Sequence, residues 1–459
     1  METQGTRTRL ARLIGISLIA AFGGFLFGFD MTVVSGAIPF LKDAFLLGST
    51  SLGWAASSCV FGCIFGAALA GKLADAFGRK KVLIVTALLF AASSVGAGWA
   101  ESFAVFTVWR LNAGLAVGAA SSVAPIFIAE TVPTRYRGGL VSFYQLAICL
   151  GLLGSYCSNY LLLATGDNAW RWMFTVGIVP SVGFFFFLFF VPESPRWLVK
   201  SGNSIKAFQV LKSVGGEEHA QSELVLIQQT LKDRKSSLRD LLKPGVLRIV
   251  VIGALLGVFS QISGANAVFL YAPEIFARAS GGLKSSLFES MLIGVILLIF
   301  TFIPILFVEK VGRRPILIIG VGMMAAMLAF LTVLFAFARD QWLLILIAIL
   351  CYIAAYASSI ACVTWVILSE IFPNRVRGEA MSVANFCLWS ANFMLLQTFP
   401  MIVQKLSLSA PFAIYAVICV VIVLFAWRII PETKGKSLEE IEQLLSPETN
   451  TTKERTTRS

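Results

Sequence analysis

The stretch Gly23-Gly-Phe-Leu-Phe-Gly-Phe-Asp30 places a carboxylate in the middle of a long apolar run. At the depth of hydrocarbon such a charge costs about 2.5–3.5 kcal/mol on insertion scales, so it needs a partner, a proton or a function. Arg110 lies inside another apolar run and is the candidate partner. We predict that Asp30 and Arg110 form a buried, titratable pair. The alternative is an ion pair that only fixes two helices together.

The composition indicates a protein that crosses a membrane many times. Of its 459 residues, 57% are hydrophobic and 14% charged, and the mean hydropathy is +0.83. Soluble domains have roughly 45–50% apolar and 25% charged residues. The apolar runs match the length that crosses bilayer hydrocarbon as helix, so we predict an all-α membrane protein. Its twelve helices are predicted at roughly 13–38, 50–72, 82–99, 104–129, 138–163, 170–191, 247–271, 287–308, 315–337, 342–369, 379–403 and 409–430.

The basic residues predict the topology. The net charge is +12, and Lys and Arg are concentrated in the connectors after the even-numbered helices. By the positive-inside rule these connectors and both termini face the cytoplasm of a cell (inner or plasma) membrane. We therefore expect a bilayer, and no nucleic acid, as the partner of the basic charge. The residues concerned are Lys72, Arg79, Lys80, Lys81, Arg135, Arg137, Lys310, Arg313, Arg314, Arg375 and Arg377.

The reactive side chains point away from enzyme and metal chemistry. All eight cysteines lie within apolar runs, and the single histidine, His219, lies in a polar connector. Their spacing is not that of a zinc site, and buried free cysteines usually serve as small packing residues. Because no nucleophile–base pair, metal cluster or phosphate loop is recognisable, we predict no enzyme, no cofactor and no metal.

The chain is organised as a duplicated unit. Three motifs of the first half recur in the same order about 240 residues later, which indicates an internal repeat. They are 75–80 with 309–314, 130–138 with 370–378, and 192–195 with 431–434. We predict an N-terminal six-helix bundle (1–191), a cytoplasmic linker with short helices (192–246), a C-terminal six-helix bundle (247–430) and a cytoplasmic tail (431–459). Helix-forming pieces of the linker are expected at 204–214 and 217–232.

The repeated motifs combine acids and bases, which predicts a cytoplasmic charge network that bridges the two halves. Such a network favours one state of a moving protein and breaks in the other. Topology and membrane anchoring alone form the simpler interpretation. The network residues are predicted to be Asp75, Arg79, Glu130, Arg137, Glu193, Glu309, Arg313, Glu370, Arg377 and Glu432.

Small residues on the fourth helix predict a close helix contact. Gly114 and Gly118 are four residues apart, which is a typical packing face in membranes. We expect this face to bring the fourth helix against the first, close enough for Arg110 to reach Asp30.

Together these motifs resemble the sugar porter family of the major facilitator superfamily, and within it the bacterial proton symporters of sugars and polyols. The resemblance rests on Pro192-Glu-Ser-Pro-Arg-Trp-Leu198, on Pro431-Glu-Thr-Lys-Gly-Lys, and on the stretches 71–80, 169–174, 261–269 and 309–314. It implies the major facilitator fold, with twelve transmembrane helices in two six-helix bundles, and a monomer. Symporters of the family carry an acid in the first helix and an arginine in the fourth, as at Asp30 and Arg110.

The resemblance also implies a set of substrate contacts. These are Phe27, Gln145, Gln261, Asn266, Tyr271, Trp365, Trp389 and Asn392. The amides have a simpler interpretation as helix-packing groups, and the tryptophans as core residues. Four expected features are replaced: Ser260 and Leu388 stand where the family has glutamine or an amide, Leu297 where it has asparagine, and Ala361-Cys362 where it has the Gly-Pro of a helix break.

The missing polar groups favour a smaller or less hydroxylated polyol, a non-standard sugar or another small solute, because a site that bonds hydroxyls discriminates through such groups. The predicted function is proton-coupled symport of a sugar or polyol by alternating access. An uncoupled facilitator or exchanger is the alternative, and a sensor that does not transport is a third interpretation.

Overall fold

The computed structural model describes residues 2–232, 238–280, 282–373, 376–434 and 440. This part of the chain is built from eighteen α-helices, numbered here in chain order. In the first half they are α1 Glu2–Ala44, α2 Ser49–Phe77, α3 Arg79–Gly98, α4 Phe103–Thr131, α5 Thr134–Leu162, α6 Ala169–Thr175, α7 Ile178–Phe187, α8 Pro195–Lys200, α9 Ser204–Gly215 and α10 Glu217–Lys232. In the second half they are α11 Pro244–Ile262, α12 Ala265–Ser280, α13 Leu283–Val311, α14 Arg313–Phe337, α15 Trp342–Ser358, α16 Ile360–Ile371, α17 Arg377–Lys405 and α18 Ser409–Arg428.

The helices are long and apolar enough to cross a bilayer. Eleven such stretches occur among the described residues, and one of them, 139–190, is 52 residues long. As helix that stretch measures about 78 Å, more than twice the hydrocarbon thickness. The chain turns within it at Gly166, where φ is 77°, so this stretch covers two of the twelve predicted helices. The predicted all-α membrane fold is confirmed.

Two of the predicted helices of the second half are broken in the structure. The predicted helix 247–271 ends at Ile262, restarts at Ala265 and continues to Ser280. The predicted helix 342–369 is interrupted at Ser359, where φ is −133° and ψ is −98°. The second break is therefore present two residues before Ala361-Cys362, although the Gly-Pro pair is missing. The predicted helices run across both breaks because the apolar residues on the two sides of each break together have the length of a membrane span.

The break between α11 and α12 has a clear physical basis. Gly264 has φ of +100°, a conformation that costs little only for glycine. The break leaves helix carbonyls without their normal partner, and these need another donor when buried. Tyr352 on α15 supplies one, because its hydroxyl donates to the Ser263 carbonyl at 3.0 Å. The hydrogen bond from the neighbouring helix α15 thus stabilises the break.

Contacts divide the chain into two units, which we describe separately. Unit 1 comprises the described residues of 1–46 and 58–234, and unit 2 those of 47–57 and 235–459. The helices of the polar linker, α9 and α10, belong to unit 1 and lie in the ranges predicted for them. They share a small apolar core made of Leu211, Ala220 and Ile227.

Glycines set the closest helix contacts of unit 1. A Cβ at Gly28 would overlap the Ile148 carbonyl, and one at Gly151 would overlap the Phe25 carbonyl, so α1 and α5 touch backbone to backbone. On α4, Gly114 meets the Cys59 carbonyl of α2. The expectation that the glycine face of α4 meets α1 is therefore wrong. The face serves α2, and a small-residue pattern specifies close packing without naming the partner helix.

The carboxylate of Glu193, which lies in the connector before α8, caps the N-terminus of α3. Gly78 has φ of +104° and precedes the first turn. The backbone N–H groups of Arg79 and Lys80 donate to the Glu193 carboxylate at 3.0 and 3.1 Å. A helix N-terminus carries partial positive charge and free N–H groups, which a carboxylate stabilises. Glu193 thus ties the end of the first six-helix segment back to its third helix.

Unit 2 repeats this arrangement at α14. Gly312 has φ of +104°, and the backbone N–H groups of Arg313 and Arg314 donate to Glu432 at 3.0 and 3.1 Å. Burial raises the pKa of Glu432, but these N–H donors and that of Lys434 outweigh it and hold the pKa below its ordinary value. The duplicated motifs at 192–195 and 431–434 therefore perform the same structural task.

The helix crossing at Gly28 can be tested with Gly28→Ala. Because the added methyl group would strike the backbone of α5, we expect a loss of about 1–3 kcal/mol of stability. Thermal unfolding in detergent measures it. Gly15→Ala on the same helix is the matched control, since its methyl group would meet nothing within 4 Å. Equal melting temperatures for the two variants would contradict the close crossing.

The cap on α14 predicts a pH-dependent effect of Glu432→Gln. A depressed pKa in the folded state gives stability that is present above the ordinary value of 4.5 and lost as the pH falls through the folded pKa. We expect the variant to melt below wild type at neutral pH, and the gap to narrow on acidification. Glu101→Gln, in an exposed connector, serves as the control. A gap independent of pH would argue against a charged cap.

Candidate functional site

Asp30 and Arg110 meet inside unit 1. The Arg110 Nη1 donates to Asp30 Oδ1 at 2.6 Å, and its Nη2 donates to the Asp30 backbone carbonyl at 3.0 Å. Asp30 is 8% exposed and Arg110 only 1%. Neither side chain therefore faces lipid. The short distance and the burial together make a strong charge-assisted contact that water screens little.

The surroundings explain how the arginine is held. The glycine crossing of α1 on α5 lies two residues before Asp30, which fixes this turn of α1. The Arg110 guanidinium also lies 5.4 Å from the ring centre of Phe174 on α6, within range of a cation–π attraction. Two of the contacts of Arg110, the Asp30 carbonyl and the Phe174 ring, carry no titratable charge.

Two candidate substrate residues, Phe27 and Gln145, lie on the helices of that same crossing. Phe27 is half-buried on α1 and Gln145 is half-buried on α5. Among the described residues, the Gln145 amide has one long contact, 4.0 Å to the sulfur of Cys149. Unit 1 therefore places an amide on the helix that packs closely against the one carrying Asp30.

In unit 2 the break after α11 brings two predicted amides into contact. Asn266 Nδ2 donates to Gln261 Oε1 at 2.6 Å across the break. Gln261 Nε2 donates to Ser260 Oγ at 3.0 Å, and Ser260 Oγ donates to the Gly257 carbonyl at 2.7 Å. Ser260, which stands in place of an expected glutamine, thus orients Gln261. This chain of bonds uses the Asn266 amide nitrogen as a donor and does not engage its carbonyl oxygen.

Tyr271 and Trp365 differ in their surroundings. Tyr271 is fully buried, its hydroxyl donates to the Leu396 carbonyl at 3.0 Å, and its ring stacks on Phe399 at 4.6 Å. Its hydroxyl is thus engaged in holding α12 to α17. Trp365 on α16 is 41% exposed, so much of its side chain is not covered by the rest of the unit.

The remaining candidates lie on α17. Trp389 is 6% exposed and Asn392 2%, and Asn392 Oδ1 is buried with no hydrogen-bond partner among the described residues. Buried polar atoms are normally satisfied, so this oxygen needs an explanation. The two apolar replacements, Leu297 and Leu388, are buried as well, at 5% and 2%.

The charged residues of unit 1 form a closed cluster beside α3. Arg79 Nε and Nη2 contact the two oxygens of Glu130 at 3.0 and 3.1 Å, and Nη2 also lies 2.9 Å from Asp75. Ser194 Oγ donates to Glu130 at 2.5 Å. Lys200 approaches the other oxygen of Asp75 at 3.0 Å. Four elements of the unit are joined by one guanidinium and its acids.

Unit 2 contains the equivalent cluster. Arg313 Nη2 contacts Glu370 at 2.8 Å, and Thr433 Oγ1 donates to the other oxygen of Glu370 at 2.5 Å. Arg377 instead donates to the Phe372 carbonyl at 3.3 Å. The side chains of Arg137 and Glu309, and all of Arg375, lie outside the described part of the chain. A bridge between the two clusters stays a prediction.

Three contributing residues were not assigned from the sequence. Phe174 lies against Arg110, and Ser194 and Thr433 donate to the acids of the two clusters. Ser194 and Thr433 occupy matching places in the repeated motifs at 192–195 and 431–434. That correspondence was the available signal. No sequence pattern indicated Phe174, because its contact with Arg110 depends on the helix packing.

Comparison with known proteins gives a consistent family. The model of the sugar (and other) transporter family matches residues 16–445. The chain is 40% identical over 439 residues to the arabinose-proton symporter of Bacillus subtilis, covering 94% of this chain and 95% of that protein. It is 37% identical over 491 residues to the D-xylose-proton symporter of Escherichia coli K12, covering 98% and 99%.

Solved structures agree. The inward open conformation of the xylose transporter XylE from E. coli superposes with a TM-score of 0.85 at 35% identity, covering 94% of this chain and 99% of that chain. The major facilitator superfamily proton:xylose symporter XylE bound to 6-bromo-6-deoxy-D-glucose gives 0.80 at 35% identity, covering 95% and 100%. The fold is thus the major facilitator fold of two six-helix bundles, as predicted. With its multi-pass helices, the duplicated charge clusters and this agreement along nearly its whole length, the chain belongs to the sugar (and other) transporter family and is a membrane transporter rather than an enzyme.

Proposed function

We propose that the protein imports a pentose, hexose or cyclic polyol together with a proton, by alternating access of its two bundles. The observation that carries the proposal is the Asp30–Arg110 pair, at 2.6 Å within membrane-spanning helices. An ionisable residue at this depth is by default a functional residue. The relatives of this protein that are named as arabinose-proton and D-xylose-proton symporters support the same function.

Protonation of Asp30 is the proposed coupling step. A proton on Asp30 Oδ1 cancels the ion pair with Arg110 Nη1. The guanidinium is not orphaned, because it keeps the Asp30 carbonyl and the Phe174 ring as partners. The contact between α1 and α4 is therefore weakened without being lost. This weakening biases the helices toward the state that closes over substrate.

The energy available is sufficient for accumulation. A membrane potential supplies about 2.3 kcal/mol per charge per 100 mV, which corresponds to roughly 50-fold concentration for one proton per solute. The proton enters from outside and leaves to the cytoplasm, with both termini of the protein on the cytoplasmic side of the cell membrane. The protein acts as a monomer.

The two charge clusters stabilise one of the two access states in this cycle. Each fastens a helix start through Arg79 or Arg313 and its acid, on the side that carries the basic connectors. We propose that a bridge between the two clusters closes the cytoplasmic side and breaks when that side opens, so that its strength sets the balance between the two access states. The outward-open state is the one that this bridge favours.

The substrate class follows from the polar groups that remain. Gln145, Gln261 and Asn266 supply amides, and Trp365 and Trp389 supply ring faces that suit the apolar face of a sugar. Relatives carry names for arabinose, D-xylose, myo-inositol and glucose. The buried Leu297 and Leu388 remove hydroxyl contacts, which favours the pentoses among these.

The test measures uptake of L-arabinose, D-xylose, myo-inositol and D-glucose with Asp30→Asn. The amide keeps a hydrogen-bond acceptor for Arg110 but takes up no proton, so we expect accumulation against a gradient to be lost and exchange to persist. Wild type should alkalinise the medium of de-energised cells when the solute is added, and the variant should not. Asp43→Asn, an exposed acid on the same helix, is the matched control.

Three outcomes would overturn the proposal. Undiminished accumulation by Asp30→Asn would remove proton coupling through this residue. Uptake by wild type without alkalinisation would identify the protein as a facilitator or exchanger instead. Binding of a sugar without uptake or exchange would indicate a sensor.

A further inference from the structure

Asn385 on α17 is a polar residue that the candidate site does not yet include. Its Oδ1 is buried and accepts no hydrogen bond from the described residues. An amide oxygen in this condition has lost water without gaining a donor, which costs free energy unless a ligand supplies one. The same holds for Asn392 Oδ1 on the same helix.

The helix geometry places these amides on one stripe. Asn385, Trp389 and Asn392 are spaced by four and three residues, so they follow one another along one face of α17. Each asparagine is about one turn, roughly 5 Å, from the tryptophan. A ring lying on Trp389 therefore has an unpaired amide oxygen within reach on either side.

The neighbouring face of α17 packs on α11. A Cβ at Gly257 would lie 3.2 Å from the Ala384 carbonyl and 3.5 Å from the Leu388 side chain. Gly257 is one turn from Ser260 and Gln261, the start of the hydrogen-bonded chain that reaches Asn266. Asn385 is thus beside the contact that joins the two helices carrying the candidate substrate groups of unit 2.

Leu388, three residues further on, is a buried aliphatic residue where the resemblance implies an amide. We propose that Asn385 is a specificity-determining residue, whose side-chain oxygen accepts a hydrogen bond from one substrate hydroxyl in place of an amide at 388. The inference rests on the proposed function. It assigns one hydroxyl of the sugar or polyol to a position one turn away from Leu388.

The experiment compares wild type with Asn385→Val in uptake of L-arabinose, D-xylose, myo-inositol and D-glucose. The best of these substrates is then tested as its series of monodeoxy analogues. We expect the variant to raise KM for the parent about 10- to 100-fold, with a smaller change in kcat. For one analogue, which lacks the assigned hydroxyl, wild type and variant should have equal KM.

Further variants separate recognition from structure. Adding Leu388→Gln to Asn385→Val should restore part of the affinity, because it returns an amide one turn away. Asn385→Ser, small and polar, should show the same analogue pattern if the valine variant does not fold. Gln404→Leu, an exposed amide on the same helix, is the control and should leave KM unchanged.

Failure of the proposed function and failure of the Asn385 assignment give different results. If wild type takes up none of the four solutes, the proposed function fails and this inference falls with it. If wild type transports and Asn385→Val leaves KM unchanged, or raises it equally for the parent and every analogue, only the assignment of Asn385 is overturned.

Discussion

The Asp30 carboxylate and the Arg110 guanidinium lie 2.6 Å apart among apolar helices. The packing of unit 1 has to keep these two charges together. Neither charge is tolerable alone at that depth, so the helices that carry them must be held in one register. The glycine contact of α1 with α5 fixes the turn before Asp30, and the contact of α4 with α2 fixes the helix of Arg110. The pair is maintained by close packing, and the packing is maintained by glycines.

The two units share the same ion-pair and helix-capping contacts but differ in the polar groups that lie within their helices. Each has an arginine that joins an acid, a hydroxyl that donates to that acid, and a second acid that caps a helix. The buried ion pair occurs in unit 1, whereas the hydrogen-bonded amides on either side of a helix break occur in unit 2. Duplication thus supplied a common frame, and we propose that one copy acquired a proton site on it and the other a polar substrate surface.

Much of this organisation could be predicted from the sequence. Hydropathy gives the helices because a bilayer demands satisfied backbone groups, and the repeated motifs give the duplication. Asp30 and Arg110 could be paired because few charges lie within the apolar runs. The linker helices followed from their charged, periodic pattern.

Other features depend on three-dimensional packing and could not be predicted. The partner of Gly114 is α2 and not α1, since a small-residue pattern does not encode its neighbour. The break at Ser359 forms without Gly-Pro, and the contact of Phe174 with Arg110 depends on the approach of separate helices. That Asn385 Oδ1 is buried with no donor in the described part of the chain could be recognised only from the folded structure.

We propose that Asp30 changes its protonation state during transport. Infrared difference spectroscopy of the purified protein, with the pH stepped in the presence and absence of sugar, measures this directly through the carbonyl stretch of a protonated carboxylic acid. We expect a band that titrates with pH, changes when sugar binds and is missing from the spectra of Asp30→Asn. Spectra of wild type and Asp30→Asn that superimpose at every pH, with and without sugar, would contradict it.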